Sequence, residues 1–183
     1  SRMGRNSVRR KNPNNFDHQV AFFAALFACL AKIAKADGQV TKEEINKIED
    51  FITQKFNLDG EQRNFAINIF QKAKDDNVSF DAYAKQLASL LKRSPNSLMI
   101  FYELLFELAM ADGELHPNEE KLLKKVPRIF GFNDGLYNQL FQKYGLKTQN
   151  FYEVLGVSKQ MRFDEIRKIC LLYTSDAADD LLC

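Results

Sequence analysis

At 183 residues, with 45% hydrophobic content and 16 phenylalanines, the chain has room for one core of ordinary size plus a small addition, and global disorder is set aside. Its formal charge of +2 is uneven: Arg2, Arg5, Arg9, Arg10 and Lys11 all precede the first acidic residue, Asp17, and the remainder carries 21 basic against 24 acidic residues. That slightly acidic body argues against a nucleic-acid partner and places any attraction to phosphate or anionic lipid in the N-terminal arm.

Residues 1–15 (SRMGRNSVRRKNPNN) are basic and nearly free of large apolar groups, so they read as a flexible arm. As a juxtamembrane segment, each of its charges would add about 1 kcal/mol of attraction to an anionic surface. The opening Ser-Arg-Met-Gly has no hydrophobic signal region, so no secretory signal is expected, and the true beginning is expected to lie upstream. A first helix is predicted from Phe16 to Lys35. Its apolar run Val20–Ala31 (VAFFAALFACLA) is 12 residues long, short of the about 20 that cross a bilayer, and reads as a buried central helix. Gly38 breaks it. Thr41 and Glu44 then form a capping box, and a second helix carries Ile45, Ile48, Ile52 and Phe56 on one stripe with Lys42, Glu43, Glu49 and Asp50 outside.

Asn57 to Gly60 reads as a turn, and a third helix is predicted over Glu61–Lys74 with Phe65, Ile69 and Phe70 inward. Ser79 caps a fourth bearing Phe80, Tyr83, Leu87, Leu90 and Leu91 at helical spacing. Ser94-Pro95 starts the fifth, Asn96–Met110, apolar almost all round and therefore wrapped by protein. Pro117 opens the sixth, which Pro127 should end or kink. After a turn at Gly131 to Asp134, a seventh runs through Leu136, Leu140, Phe141 and Tyr144 and closes near Gly145. No strand-forming pattern competes with this all-α reading.

One signature occurs twice. Ala36-Asp37-Gly38-Gln39-Val40-Thr41-Lys42-Glu43-Glu44 recurs 75 residues later as Ala111-Asp112-Gly113-Glu114-Leu115-His116-Pro117-Asn118-Glu119. Upstream the register holds, pairing Phe23 with Leu98, Phe27 with Tyr102, Leu30 with Leu105 and Ile33 with Leu108. Such a repeat predicts two related helical halves sharing a core through an internal pseudo-two-fold.

Catalytic patterns are missing from the sequence. Cys29, Cys170 and Cys183 are too few and scattered for a disulfide framework or zinc motif, which points to a reducing compartment, and neither His18 nor His116 adjoins a nucleophile. No dinucleotide, phosphate-loop, serine-hydrolase or zincin motif occurs, so no catalytic residue is nominated. The repeated turn has the spacing of the second half of a calcium loop. Its opening ligand positions would fall on Ile33, Lys35, Leu108 and Met110, which offer a hard cation no oxygen side chain, so an EF-hand is rejected. Two readings stand. In one, Asp37, Glu44, Asp112 and Glu119 converge to hold a divalent metal ion. In the other the turns are structural: Asp bonds back to nearby amides, Gly takes positive φ and Glu completes a cap. His116 reads as an N-cap or surface residue, and Cys29 as a small buried hydrophobe.

The halves LAKIAKADGQVTKEEI and LFELAMADGELHPNEE resemble the TerB-type helical domain of tellurite resistance proteins. Their order, followed by Asn150-Phe151-Tyr152-Glu153-Val154-Leu155-Gly156-Val157 and Phe163-Asp164-Glu165-Ile166-Arg167-Lys168, resembles the DjlA-type family of membrane-anchored DnaJ-like co-chaperones over roughly Phe16 to Ile169. The resemblance implies an all-α TerB-like bundle of about seven helices over residues 16–145, then a linker and truncated J-domain start over 146–169. It also implies a DnaK-type Hsp70 partner, possible self-association, and an N-terminal membrane helix that this chain lacks. The intact protein would sit at the cytoplasmic side of the bacterial inner membrane, whereas the fragment would be soluble in the cytoplasm. Arg167 and Lys168 match the Hsp70-facing basic positions, but the family's His-Pro-Asp turn is missing. From Cys170 the sequence (CLLYTSDAADDLLC) departs from the J-domain pattern, and residues 170–183 are expected to be a non-native tail.

Overall fold

A computed structural model describes residues 13–155, with side-chain surroundings for 18–145. Its elements are α1 (Pro13–Ala34), α2 (Lys42–Asp50), a π-helical turn (Phe51–Lys55), α3 (Gly60–Asp75), α4 (Phe80–Leu90), α5 (Pro95–Ala109), α6 (Pro117–Leu123), α7 (Val126–Phe130) and α8 (Leu136–Leu155). The all-α reading holds. The arm before Pro13, the residues beyond Leu155, and with them Arg167 and Lys168, lie outside the described residues.

α1 is central because its sequence leaves it no polar face: Leu26, Phe27, Cys29, Leu30 and Ile33 are all fully buried. It packs against α3, α4 and α5, and each large apolar side chain so covered contributes about 1.5–3 kcal/mol. α5 is its counterpart, with Tyr102, Leu105, Phe106 and Leu108 equally covered. One charge sits within the packed part of α1. Lys32 Nζ lies 2.8 Å from Asp76 Oδ1, donates at 2.8 Å to the Asp76 carbonyl, and Tyr83 gives its hydroxyl proton to the same carboxylate. The end of α3 and the side of α4 are thus tied to α1. At the other end, Phe106 lies 5.6 Å from Tyr137 and 5.8 Å from Tyr144, so an aromatic contact fastens α8 to α5.

Several features bear on the sequence expectations. The second helix does not stay α-helical to Phe56: Phe56 N–H donates to Phe51 O at 2.9 Å, an i→i+5 bond that makes Phe51–Lys55 a π turn. Ile45 is half exposed, at 50%, because α2 turns Glu44 and Ile48 inward and a neighbouring residue points about 100° away. Phe65 is 36% exposed because α3 presents Ala66, Phe70 and Ala73 to the core, where small residues let the helices approach. The sixth helix does end ahead of Pro127, at Leu123, the residue whose carbonyl a proline four positions on has no N–H to bond. Pro127 itself lies in the first turn of the separate α7, where no bond within that helix calls for its N–H. The last helix closes the bundle through Tyr137, Leu140 and Tyr144 while Phe141 faces outward, and it continues without a break past Gly145 to Leu155.

Candidate functional site

The two copies of the repeat fold into the same hydrogen-bonded corner. Ala36 N–H donates to Ile33 O and Gly38 N–H to Lys35 O, and 75 residues on Ala111 donates to Leu108 O and Gly113 to Met110 O, all at 2.9–3.1 Å. Gly38 has φ +102° and Gly113 φ +93°, values that a side chain resists. The aspartates then bond forward: Asp37 Oδ1 accepts from Gln39 N–H at 3.3 Å, and Asp112 Oδ1 from Glu114 N–H at 3.1 Å. Finally Glu44 Oε2 accepts from Thr41 N–H at 2.7 Å, and Glu119 Oε2 from His116 N–H at 3.1 Å. The structural reading of the motif is therefore realised bond for bond in both halves.

The corners also meet. His116, at the N-cap of α6, holds Nε2 2.8 Å from Asp112 Oδ2 and 3.9 Å from Asp37 Oδ2, so one imidazole stands between the aspartates of the two repeats. Its hydrogen bond to Asp112 raises its pKa, with the field of Asp37 adding to the effect. Beneath it, Glu44 and Glu119 are the two buried charged side chains among the described residues, 3% and 1% exposed. Both carboxyls are pushed up, chiefly by burial, and each also lies in the field of Asp112. Glu44 Oε1 has no donor facing it. Its neighbour is the Glu119 carboxyl, and two ionised carboxylates have no proton to place between them. Once one of the pair is protonated they form a hydrogen bond to each other.

Asp37, Glu44, Asp112 and Glu119 are thus brought to one junction. Glu44 and Glu119 touch, and the aspartates are bridged by His116. Among the described residues, no group of three or more His, Cys, Asp or Glu side chains is placed to hold a metal ion. Sequence reasoning did not find the imidazole bridge, although the register that aligns Thr41 with His116 marks the position. Cys29 is buried as expected, and desolvation pushes its thiol well above the usual range, leaving it unreactive.

Known proteins match the chain in sequence. The family described as tellurite resistance protein TerB matches residues 23–142. The "Co-chaperone protein DjlA" of Photobacterium profundum is 31% identical over 85% of this chain and 64% of its own length. The protein of that name from Vibrio parahaemolyticus is 36% identical over 67% of this chain and 43% of its own, and the one from Coxiella burnetii 29% identical over 82% and 62%. The chain therefore spans less than two thirds of these curated relatives. No solved structure matches it. With the family matched across the doubled Asp-Gly corners and the helices that carry them, the chain belongs to the tellurite resistance protein TerB family and is similar to the helical module of DjlA co-chaperones.

Proposed function

We propose that this chain is the interaction module of a membrane-anchored DnaJ-like co-chaperone. In the whole protein a J domain starting near Asn150 recruits a DnaK-type Hsp70 and stimulates its ATP hydrolysis. The bundle itself performs no catalysis and serves regulation, self-association or client contact. The observation that carries this reading is domain order. Similarity to the Photobacterium protein covers 85% of the chain, more than the TerB match at residues 23–142, and so reaches past the bundle. The basic arm occupies the cytoplasmic flank of an inner-membrane anchor in this reading; among the described residues no helix is long and apolar enough to cross a membrane.

The test is steady-state ATP turnover by a DnaK-type Hsp70. This chain, without a His-Pro-Asp turn, should leave turnover unchanged, and a version carrying a completed J domain should accelerate it. An inert completed version refutes the assignment.

A second reading, divalent-cation binding by Asp37, Glu44, Asp112 and Glu119, is favoured by the buried Glu44 oxygen that no donor faces while the Glu44–Glu119 pair is ionised. It requires the aspartates to turn toward the glutamates. Calorimetric titration with calcium, manganese or zinc distinguishes it: saturable heat that vanishes in Asp37→Ala/Asp112→Ala supports it, and silence with every ion removes it.

A further inference from the structure

Where α1, the π turn and α3 come together, the bundle leaves an open groove of about 630 Å³. Val20 and Phe23 of α1, Phe56 beyond the π turn and Phe65 of α3 line it, as do Asp59 and Glu61, and no Lys or Arg lines it among the described residues. The aromatic wall is held in place: Phe56 meets Phe23 edge-on at 5.7 Å and Phe27 at 6.2 Å. The π turn delivers Phe56 there, and the next residue, Asn57, reverses the chain at φ +47°, a conformation few residues other than glycine adopt. Asp59 spends one carboxylate oxygen capping α3 through Gln62 N–H at 3.0 Å. Glu61 is exposed.

Aromatic rings beside carboxylates, with no cation among the described lining residues, suit a guanidinium. The aromatic quadrupole attracts the charge over its face, and a carboxylate accepts from the planar fork. Residues 1–12 supply four arginines, Arg2, Arg5, Arg9 and Arg10, and the described chain begins at Pro13 at the start of the helix that forms one wall. Val20 lies seven residues into α1, about 10 Å at 1.5 Å per residue. Three or four extended residues cover about the same distance, which is the separation of Arg9 and Arg10 from Pro13.

We propose that the Arg9-Arg10 segment folds back along the start of α1 and docks in this groove, its guanidinium groups over Phe23, Phe56 and Phe65 and paired with Asp59 and Glu61. Tethering supplies a millimolar effective concentration, so individually weak contacts suffice to fill the groove. An arm held this way offers its charge to the bundle instead of to an anionic surface, so the two contacts compete.

The experiment compares backbone amide spectra of the full chain and its Arg9→Ser/Arg10→Ser variant in low salt. Shifts are expected at Phe23, Gly60 and Phe65, far in sequence from the substitutions. Adding a synthetic peptide of residues 1–12 to that variant should restore the original positions saturably, and Glu61→Lys in the same chain should weaken the peptide about fivefold or more. Phe65→Ser, at a site 36% exposed, should also abolish the restoration in a variant whose far-UV spectrum and melting cooperativity are unchanged. Spectra that differ only around the substituted residues overturn the proposal. Shifts that follow protein concentration also overturn it, since they assign the groove to a second copy of the chain.

Discussion

The buried pair can be tested through its proton. Glu119→Gln keeps an oxygen to accept from His116 N–H and supplies an amide donor for the unpartnered Glu44 Oε1, so it replaces the shared proton with a permanent hydrogen bond. Both carboxyl pKa values are raised in the folded protein, so the pair retains a proton that the unfolded chain releases. Its contribution is fully present below the ordinary glutamate range and is lost as pH rises toward the raised value. One proton is worth about 1.4 kcal/mol per pH unit, so wild type should lose on the order of 2–3 kcal/mol between pH 6 and pH 8 from this pair. For a chain of this size that is about 5–10 °C in Tm. His116, also raised, contributes with the same sign, its share being lost above the usual imidazole range, so only the difference between wild type and variant isolates the pair. Circular-dichroism melts in EDTA at half-unit steps from pH 5 to 9 should show near-equal Tm at pH 5 and a variant clearly more stable at pH 8. If Glu119→Gln keeps the wild-type pH slope, or wild type gains stability from pH 6 to 8, the shared proton is refuted.

Other perturbations address the frame that brings the corners together. Tyr102→Phe removes the donor to Leu123 O, a buried bond of 2.9 Å between α5 and α6, and should cost about 1–2 kcal/mol in denaturant unfolding. Gly38→Ala meets no atom within 4 Å, so its loss of about 1–2 kcal/mol in the same assay would come from backbone strain at φ +102° alone; an unchanged midpoint would argue against that φ. Lys32→Met leaves the Asp76 carboxylate with Tyr83 and backbone partners only, and should destabilise by about 1–3 kcal/mol while preserving helix content in far-UV spectra. Leu105→Ala, at a fully buried site facing the other half, should cost about 2–5 kcal/mol and broaden the thermal transition.

Much of this fold was legible because helix periodicity, caps and glycine breaks are local signals. The Thr41 and Ser79 caps and the Asp-Gly breaks stand where the residues call for them. The errors came from ranking side chains by hydrophobicity. Ile45, Phe65 and Phe141 outrank their neighbours on that scale, yet α2 turns a glutamate inward, α3 uses alanines for close approach, and α8 uses Tyr137 and Tyr144, whose rings both pack on Phe106 of α5 while their hydroxyls reach acidic partners. The π turn carries no marker of its own in FITQK; one inserted residue lets Phe51 and Ile52, adjacent in sequence, both reach the core.

For the site, the chain alone specified each corner: a glycine with positive φ, an aspartate bonded two residues ahead, and a glutamate bonded back to its own N-cap. These bonds span three residues or fewer, so neighbouring identity suffices to determine them. Only packing of α1 against α5 decided that Glu44 would be sealed against Glu119 and that His116 would stand between Asp37 and Asp112. The contacts of Glu44 with Glu119 and of Asp37 with His116 join residues 75 or more apart in the chain, whereas the bond from His116 to Asp112 spans only four, and the raised carboxyl pKa values exist because folding removes water from groups that the unfolded chain leaves solvated.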